Sequence, residues 1–246
     1  MANWLTGRVK NIKWWNDRLF SLILNAPIEG FKAGQFTKLA MNVDGKRITR
    51  AYSFVNPPKE RDLEFYLIKV DGGNLSCPLS NLQKGDEIEI SSVSSGYFTI
   101  DEVPKSEQLW LLSTGTAIGP FLSILQQGDV WRSFQKIILV HAVRAIEDLC
   151  YQELIFNLCN KYTQLKYVSI VSREVNPSGL EGRVPKLLES GALFQFCGIE
   201  PSINNSQFMI CGNPQMVKDT SVTLNQMGYE RNRRSTSGHI TVEQYW

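Results

Sequence analysis

The hydrophobic pattern of this 246-residue chain changes character once, just after Pro104, and that change limits the fold more than any other feature. Before it, the segments Arg8–Trp15, Arg18–Ala26, Gln35–Val43, Thr49–Asn56, Leu63–Val70 and Glu87–Ser92 are rich in β-branched and aromatic residues. Turn clusters such as Asn56-Pro57-Pro58 and Asp71-Gly72-Gly73-Asn74 separate them. Short strands at that spacing predict an antiparallel barrel or sandwich. After it, Leu109–Leu112, Ile137–Val140, Val168–Val171 and Phe208–Ile210 are brief apolar runs suited to strands buried on both faces. Helices are predicted between them over Ile118–Gln126, Glu147–Lys161, Val184–Glu189 and Pro214–Met227. Alternating strands and helices predict a doubly wound parallel sheet. Asp101, Pro104 and Lys105 interrupt the pattern, so the boundary is expected near residues 97–105, dividing the chain into 1–100 and 101–246.

Composition narrows the class. A hydrophobic fraction of 43% is ample for packed cores and excludes global disorder. No apolar run approaches the roughly 20 residues of a membrane span, and the start, Met1 to Arg8, lacks the apolar core of a secretory signal. The five cysteines contain no CxxC pair and, with two histidines, offer no zinc or iron–sulfur spacing. Reduced thiols in a cytoplasmic protein are expected. The net charge of +2 is unevenly spread: residues 1–50 hold nine Lys/Arg against three Asp/Glu, residues 101–246 thirteen against fourteen. That is too little for a nucleic-acid module and fits a basic patch facing an acidic partner. No feature marks a dimer interface, so a monomer is the default.

Five short stretches carry chemistry, each with a plainer structural reading beside it. In Arg50-Ala51-Tyr52-Ser53 the arginine can clamp a phosphate, the tyrosine cover an aromatic ring and the serine donate to a ring nitrogen; an ordinary strand also alternates this way. Asp71–Ser76 can bring backbone N–H groups to an anion, or simply turn a hairpin. Ser113–Pro120 joins a buried strand to a helix where open α/β sheets bind nucleotides, or is a tight connection only. Arg173, at a strand end, and Arg183 can hold a 2′-phosphate, although Glu174 and Glu181 leave a solvated charged loop open. Cys211-Gly212-Asn213-Pro214-Gln215-Met216 again leads from strand to helix, with Cys211 either facing the cleft or an inert buried thiol.

Taken in order, RxYS, GGxLS, TGTAIGP and CGNPQM resemble the ferredoxin/flavodoxin–NADP reductases, and the ending Val242-Glu243-Gln244-Tyr245-Trp246 resembles their bacterial branch. The resemblance spans essentially the whole chain. It implies an FAD-binding β-barrel over 1–100 and an NADP(H)-binding Rossmann-like domain over 101–246, with hydride passing to flavin N5 and single electrons to the carrier. It assigns Arg50 to the FAD pyrophosphate, Ala51 to cofactor binding beside it, Tyr52 to stacking on the isoalloxazine and Ser53 to N5. Gly73, Leu75 and Ser76 become phosphate contacts, mostly through backbone N–H groups. Thr116 lines the nicotinamide pocket and Cys211 lies near the reactive carbon. Arg144, Ser172, Arg173 and Arg183 hold the 2′-phosphate and its neighbours. Val242 is implied at the flavin face, Trp246 on the adenine, and Glu243 as a proton relay. The implied partner is an acidic ferredoxin or flavodoxin, steered by the basic excess in residues 1–50 together with Arg231, Arg233 and Arg234.

Three rivals share parts of this pattern. A flavin reductase or oxygenase reductase often prefers NADH or carries an iron–sulfur module. An electron-transfer subunit that binds FAD and handles no nicotinamide commonly needs a cysteine-ligated cluster. A non-catalytic interaction protein would have broken cofactor motifs. The missing cysteine cluster and the intact motifs stand against them.

Overall fold

A computed structural model describes residues 3–245. Six antiparallel strands form the first sheet: β1 (Trp4–Trp14), β2 (Leu19–Asn25), β3 (Phe36–Val43), β4 (Lys46–Ser53), β5 (Leu63–Ile68) and β6 (Glu87–Ser91), in the order β4-β3-β6-β1-β2-β5. Alternate residues such as Phe20, Leu22 and Leu24 fill its interior with Phe54, Phe65 and Leu79. The sheet curls until its two edges touch at a Phe54–Phe65 bridge, the only pairing of its β4 and β5 edges among the described residues. Strand β1 begins four residues before the expected Arg8, because Trp4 to Arg8 pair with β6. Gly7 hides that extension in the sequence by interrupting the side-chain pattern. The short helix α1 (Ser76–Ser80) follows β5.

The second sheet is parallel: β7 (Gln108–Thr114), β8 (Lys136–Val143), β9 (Leu165–Val171), β10 (Leu180–Glu181), β11 (Ser206–Gly212) and β12 (Ile240–Gln244), in the order β10-β9-β8-β7-β11-β12. One face, with Leu109, Leu111 and Leu139, packs on α2 (Gly119–Gln127), α3 (Val130–Ser133) and α4 (Gln152–Lys161). The opposite face, with Trp110, Leu112 and Ile138, packs on α5 (Val184–Glu189), α6 (Ala192–Cys197) and α7 (Pro214–Gln226). The first face also takes in Leu19, Val55 and Tyr66 from the first sheet, so one apolar core spans both halves.

The predicted helix Glu147–Lys161 is shorter than expected, and the reason is tertiary. Asp148 accepts hydrogen bonds from Asn16 (3.3 Å) and Arg18 (3.2 Å) of the first half. Tyr151 takes a left-handed φ of 61° and α4 starts only at Gln152. That conformation is unfavourable for a tyrosine and is sustained by its contacts. Trp15 Nε1 donates to Ser21 Oγ (2.9 Å), Ser21 and Tyr151 share a 2.5 Å bond, and Tyr151 donates to Glu64 (2.6 Å). Helix α6 escaped the sequence reading because glycines 191 and 198 flank a single apolar turn.

Tyr151→Phe keeps the ring packing and removes the hydroxyl from the middle of this chain. It is expected to lower unfolding stability by about 1–3 kcal/mol, read from urea denaturation midpoints; an unchanged midpoint would show the chain to be energetically idle.

Candidate active site

In an open parallel sheet a crevice forms where strands are laid down on opposite sides of a common starting strand. Here β8, β9 and β10 lie to one side of β7, and β11 and β12 to the other, so the crevice lies between β7 and β11. Both flanking turns hold predicted residues. Beyond β7, Gly115–Ile118 forms one tight turn that runs directly into α2. Gly115 has φ +55°, and nothing lies within 4 Å of where its Cβ would stand, so that side of the turn is bare. Thr116 is buried. Beyond β11, Asn213 caps α7 by accepting from the N–H groups of Gln215 and Met216. Gly212 admits no side chain: φ is +149° and a Cβ would overlap Thr114 Oγ1.

The first sheet reaches this crevice through Ser53, the last residue of β4. Its hydroxyl donates to Glu243 Oε2 on β12 (3.4 Å) and is hydrogen-bonded to the Tyr245 hydroxyl. Glu243 is the register partner of Cys211, which is in turn the partner of Ser113. Cys211 has no exposed surface, and burial, reinforced by Glu243, pushes its thiol well above its ordinary value. It is a neutral group set in the wall. Burial likewise raises the Glu243 carboxyl to about 7, against the opposing hydrogen bond from Ser53.

Arg50 and Tyr52 stand on one face of β4, Ala51 and Ser53 on the other, as strand alternation requires. Arg50 is exposed and, among the described residues, donates only to the neighbouring Thr49 carbonyl (2.8 Å). Tyr52 packs part of its ring on the barrel core, and burial raises its hydroxyl to about 12. The turn between β5 and α1 holds Gly73, Leu75 and Ser76. Gly73 N–H is already bonded to Val70 O (2.8 Å), and a Cβ there would overlap Ser76 Oγ, so its contribution is steric. Ser76 Oγ accepts from Val70 N–H (3.1 Å). Among the described residues the N–H groups of Leu75 and Ser76 have no protein acceptor.

The carboxyl ends of β8 and β9 bring Arg144, Ser172 and Arg173 together. Ser172 N–H donates to Val143 O (3.1 Å) and Arg173 N–H to Arg144 O (3.0 Å). Gly182 N–H donates to Val171 O (2.9 Å), which holds Arg183 beside them at the start of α5. The two acids that clouded the sequence reading are exposed but engaged by backbone donors: Glu174 accepts from Ile146 (2.8 Å) and Glu181 from Asn176 (3.4 Å). Three exposed guanidinium groups remain, none in a salt bridge among the described residues.

A groove of about 820 Å³ opens beside Glu243 and Val242, lined also by Phe36, Tyr97, Arg231 and Arg234. None of Arg50, Tyr52 or residues 73–76 lines it; of the predicted catalytic and cofactor residues it meets only Val242 and Glu243, together with the predicted docking residues Arg231, Arg233 and Arg234. Arg234 lies over the Tyr97 ring at 3.5 Å. The basic excess of residues 1–50 is largely neutralised: Arg8 pairs with Glu87, Arg18 with Asp148, Lys32 with Asp101 and Arg47 with Glu89. Trp246 lies outside the described residues. The sequence reading overlooked Tyr245, which packs against the cluster containing Cys211 and whose N–H donates to Gly212 O (3.0 Å). It also overlooked His141, whose only signal was a polar residue ending an apolar run.

Residues 9–99 match the family model of the oxidoreductase FAD-binding domain and residues 111–222 that of the oxidoreductase NAD-binding domain. The chain is 47% identical to the flavodoxin/ferredoxin–NADP reductase of Escherichia coli over the full length of both. It is 37% identical to the ferredoxin–NADP reductase of Pseudomonas aeruginosa, covering 93% of this chain and 92% of that one. A crystal structure of a ferredoxin NADP+ reductase from Neisseria gonorrhoeae, with bound FAD and NADP, superposes with a TM-score of 0.95 at 32% identity over the whole of both chains.

The raised Glu243 carboxyl has a signed consequence. Its ordinary value is 4.5 and its folded value about 7, so across that window the folded state holds a proton that the unfolded state releases. Stability from this group is therefore full below 4.5 and lost as pH rises through 7. In the flavin-free protein, Glu243→Gln is expected to flatten that portion of the curve of melting temperature against pH. A difference curve with no inflection between those values would refute the raised carboxyl.

Proposed function

The chain belongs to the flavodoxin/ferredoxin–NADP reductase family, and on that premise we propose which residues carry each step of its reaction. The protein is an oxidoreductase that moves electrons between NADPH and ferredoxin or flavodoxin through FAD. When bound, FAD would supply the redox chemistry that couples two-electron exchange with the nicotinamide to one-electron exchange with the carrier. One observation carries the assignment: the Ser53–Glu243 hydrogen bond, which joins the first sheet to the last strand of the second beside the β7/β11 crevice.

Residues 1–100 form the FAD-binding domain and residues 101–246 the NADP(H)-binding domain. The donor set suits the flavin dinucleotide. The exposed guanidinium of Arg50, without an acid partner among the described residues, and the N–H groups of Leu75 and Ser76, without a protein acceptor among them, suit a diphosphate. Tyr52 offers its ring to the isoalloxazine, with Ala51 keeping the strand edge clear, and Ser53 donates at flavin N5. Val242 would lie at the flavin face; the assignment of Trp246 to the adenine concerns a residue outside the described ones. Glu243, raised to about 7 by burial, can hold a proton beside Ser53, and a relay through this pair would pass the serine's own hydroxyl proton onward as the Glu243 proton replaces it. Cys211 shapes the approach of the nicotinamide as a neutral thiol and performs no nucleophilic step. Thr116 lines the nicotinamide pocket, and Arg144, Ser172, Arg173 and Arg183 receive the 2′-phosphate and its neighbours.

The carrier is an acidic ferredoxin or flavodoxin that docks on the groove at Arg231, Arg233 and Arg234. The pairing of Arg8, Arg18, Lys32 and Arg47 with acids moves the steering charge away from residues 1–50 and toward this groove. We place the enzyme in the cytoplasm as a monomer that binds no nucleic acid. Five free thiols support the compartment, and among the described residues no helix is long and apolar enough to cross a membrane.

Anaerobic stopped-flow tests the assignment. Ser53→Ala is expected to slow flavin reduction by NADPH about a hundredfold. Arg173→Ala and Arg183→Ala are expected to weaken NADPH, and not NADH, by about tenfold each. Equal reduction of the native protein by NADH and NADPH would favour a flavin-reductase reading and remove the phosphate site. Carrier association should slow steeply with added salt, and Arg233→Ala with Arg234→Ala should shallow that dependence; a flat salt response would detach the arginines from docking.

A further inference from the structure

One register level of the parallel sheet is polar from strand to strand. Glu243 on β12 is paired with Cys211 on β11, Cys211 with Ser113 on β7, Ser113 with His141 on β8, and His141 with Ser169 on β9. Register partners in a parallel sheet project to the same face, so these five side chains form a row across five strands. On the same face the level beneath is apolar in the three central strands, where Met209, Leu111 and Leu139 belong to the core. A histidine in the middle of such a sheet, with 0% of its surface exposed, calls for a reason.

Two members of the row have local uses for their hydroxyls. Ser113 Oγ donates to Val140 O (2.7 Å), and Ser169 Oγ accepts from Asn176 Nδ2 (3.1 Å). His141 reaches out of the sheet instead. Its Nε2 lies 3.1 Å from the carbonyl oxygen of Gly115, the first residue of the turn beyond β7. A carbonyl only accepts, so the proton of that bond sits on Nε2. Nδ1 is buried with no partner among the described residues, which is the arrangement of a neutral ring with one donor in use. Burial holds the ring neutral, its value lowered to about 4, so the donor stays in this form at neutral pH.

The bond acts on the first residue of the tight turn Gly115–Ile118. Gly115 combines φ +55° with bare space where its Cβ would stand, a backbone conformation that glycine takes without the steric cost a side chain would bring. The Gly115–Thr116 peptide is trans, so its C=O and N–H point in opposite directions. Drawing the Gly115 carbonyl down to His141 therefore turns the Thr116 N–H away from the sheet. That N–H has no protein acceptor among the described residues.

We propose that His141 is a positioning residue for the nicotinamide half of NADP(H): by holding the Gly115 carbonyl it fixes the turn that presents Thr116 to the crevice. This rests on the reading of Thr116 as part of the nicotinamide pocket. The residue touches neither cofactor nor substrate and acts only through the backbone of the turn.

The FAD-loaded enzyme tests it with two substitutions and two ligands. His141→Leu removes the donor at similar volume, whereas His141→Gln places an amide N–H near the original Nε2. Isothermal calorimetry with NADP+ is compared with adenosine 2′,5′-bisphosphate, which carries the adenosine phosphates and no nicotinamide. His141→Leu is expected to weaken NADP+ about tenfold and to leave the bisphosphate unchanged; His141→Gln is expected to restore most of the loss. In steady state the Leu variant should raise the KM for NADPH more than it lowers kcat. Unchanged NADP+ binding, or equal weakening of both ligands, would overturn the proposal. Failure of the native enzyme to bind either ligand would overturn the nucleotide-site reading along with it. Should His141→Leu fail to fold, ¹⁵N NMR of the native histidine ring decides the matter. An Nε2–H tautomer supports the clamp, and an Nδ1–H tautomer, with a bare Nε2 facing the Gly115 carbonyl, overturns it.

Discussion

Everything in this site depends on how the second sheet is held against the first. Ser53 and Glu243 are 190 residues apart and meet only because the two sheets share one core. The apolar part of that contact is Leu19, Val55 and Tyr66 against the face carrying α2, α3 and α4. Apolar burial is non-directional and leaves the angle between layers loosely defined. Hydrogen bonds define it: Ser123 Oγ to Asn56 O (2.7 Å), Gln126 Nε2 to Val55 O (2.9 Å), and the chain through Ser21, Tyr151 and Glu64. Buried, directional bonds of this kind turn a shared core into a fixed crevice.

The electrostatics divide along the same crevice. Groups near the Ser53–Glu243 contact are held neutral or near-neutral by burial: the Cys211 thiol, the Tyr245 hydroxyl and, at about 7, the Glu243 carboxyl. Groups at its outer ends are exposed cations, Arg144, Arg173 and Arg183 at one and Arg231, Arg233 and Arg234 at another. A neutral, water-poor centre between cationic ends suits a reaction whose reactants bring their own phosphates and carboxylates while electrons pass between uncharged rings.

Much of this was legible in the letters. The helix Val184–Glu189 lies where its pattern placed it, and the turns after β7 and β11 lead from strand to helix as their Gly and Pro residues required. Other features were hidden because their causes are distant in sequence. The first turn of the expected helix at Glu147 is lost to Asn16 and Arg18, and nothing near Glu147 records those partners. Glu174 and Glu181 look like rivals to Arg173 until their carboxylates are seen on backbone donors. The basic excess of residues 1–50 looks like a docking patch until four of its cations are found paired.

The sequence by itself determined the two kinds of sheet, the change between them, and the motif order that marks the family, since periodicity and turn chemistry are local properties of the chain. Only the tertiary structure decided which side chains meet. The polar row from Glu243 to Ser169 draws one residue from each of five strands, and a row of that kind exists only once parallel register is set. The same holds for the cations left unpaired and the carboxyl raised by burial. Charge and solvation belong to the arrangement of neighbours in space, and no stretch of sequence contains them.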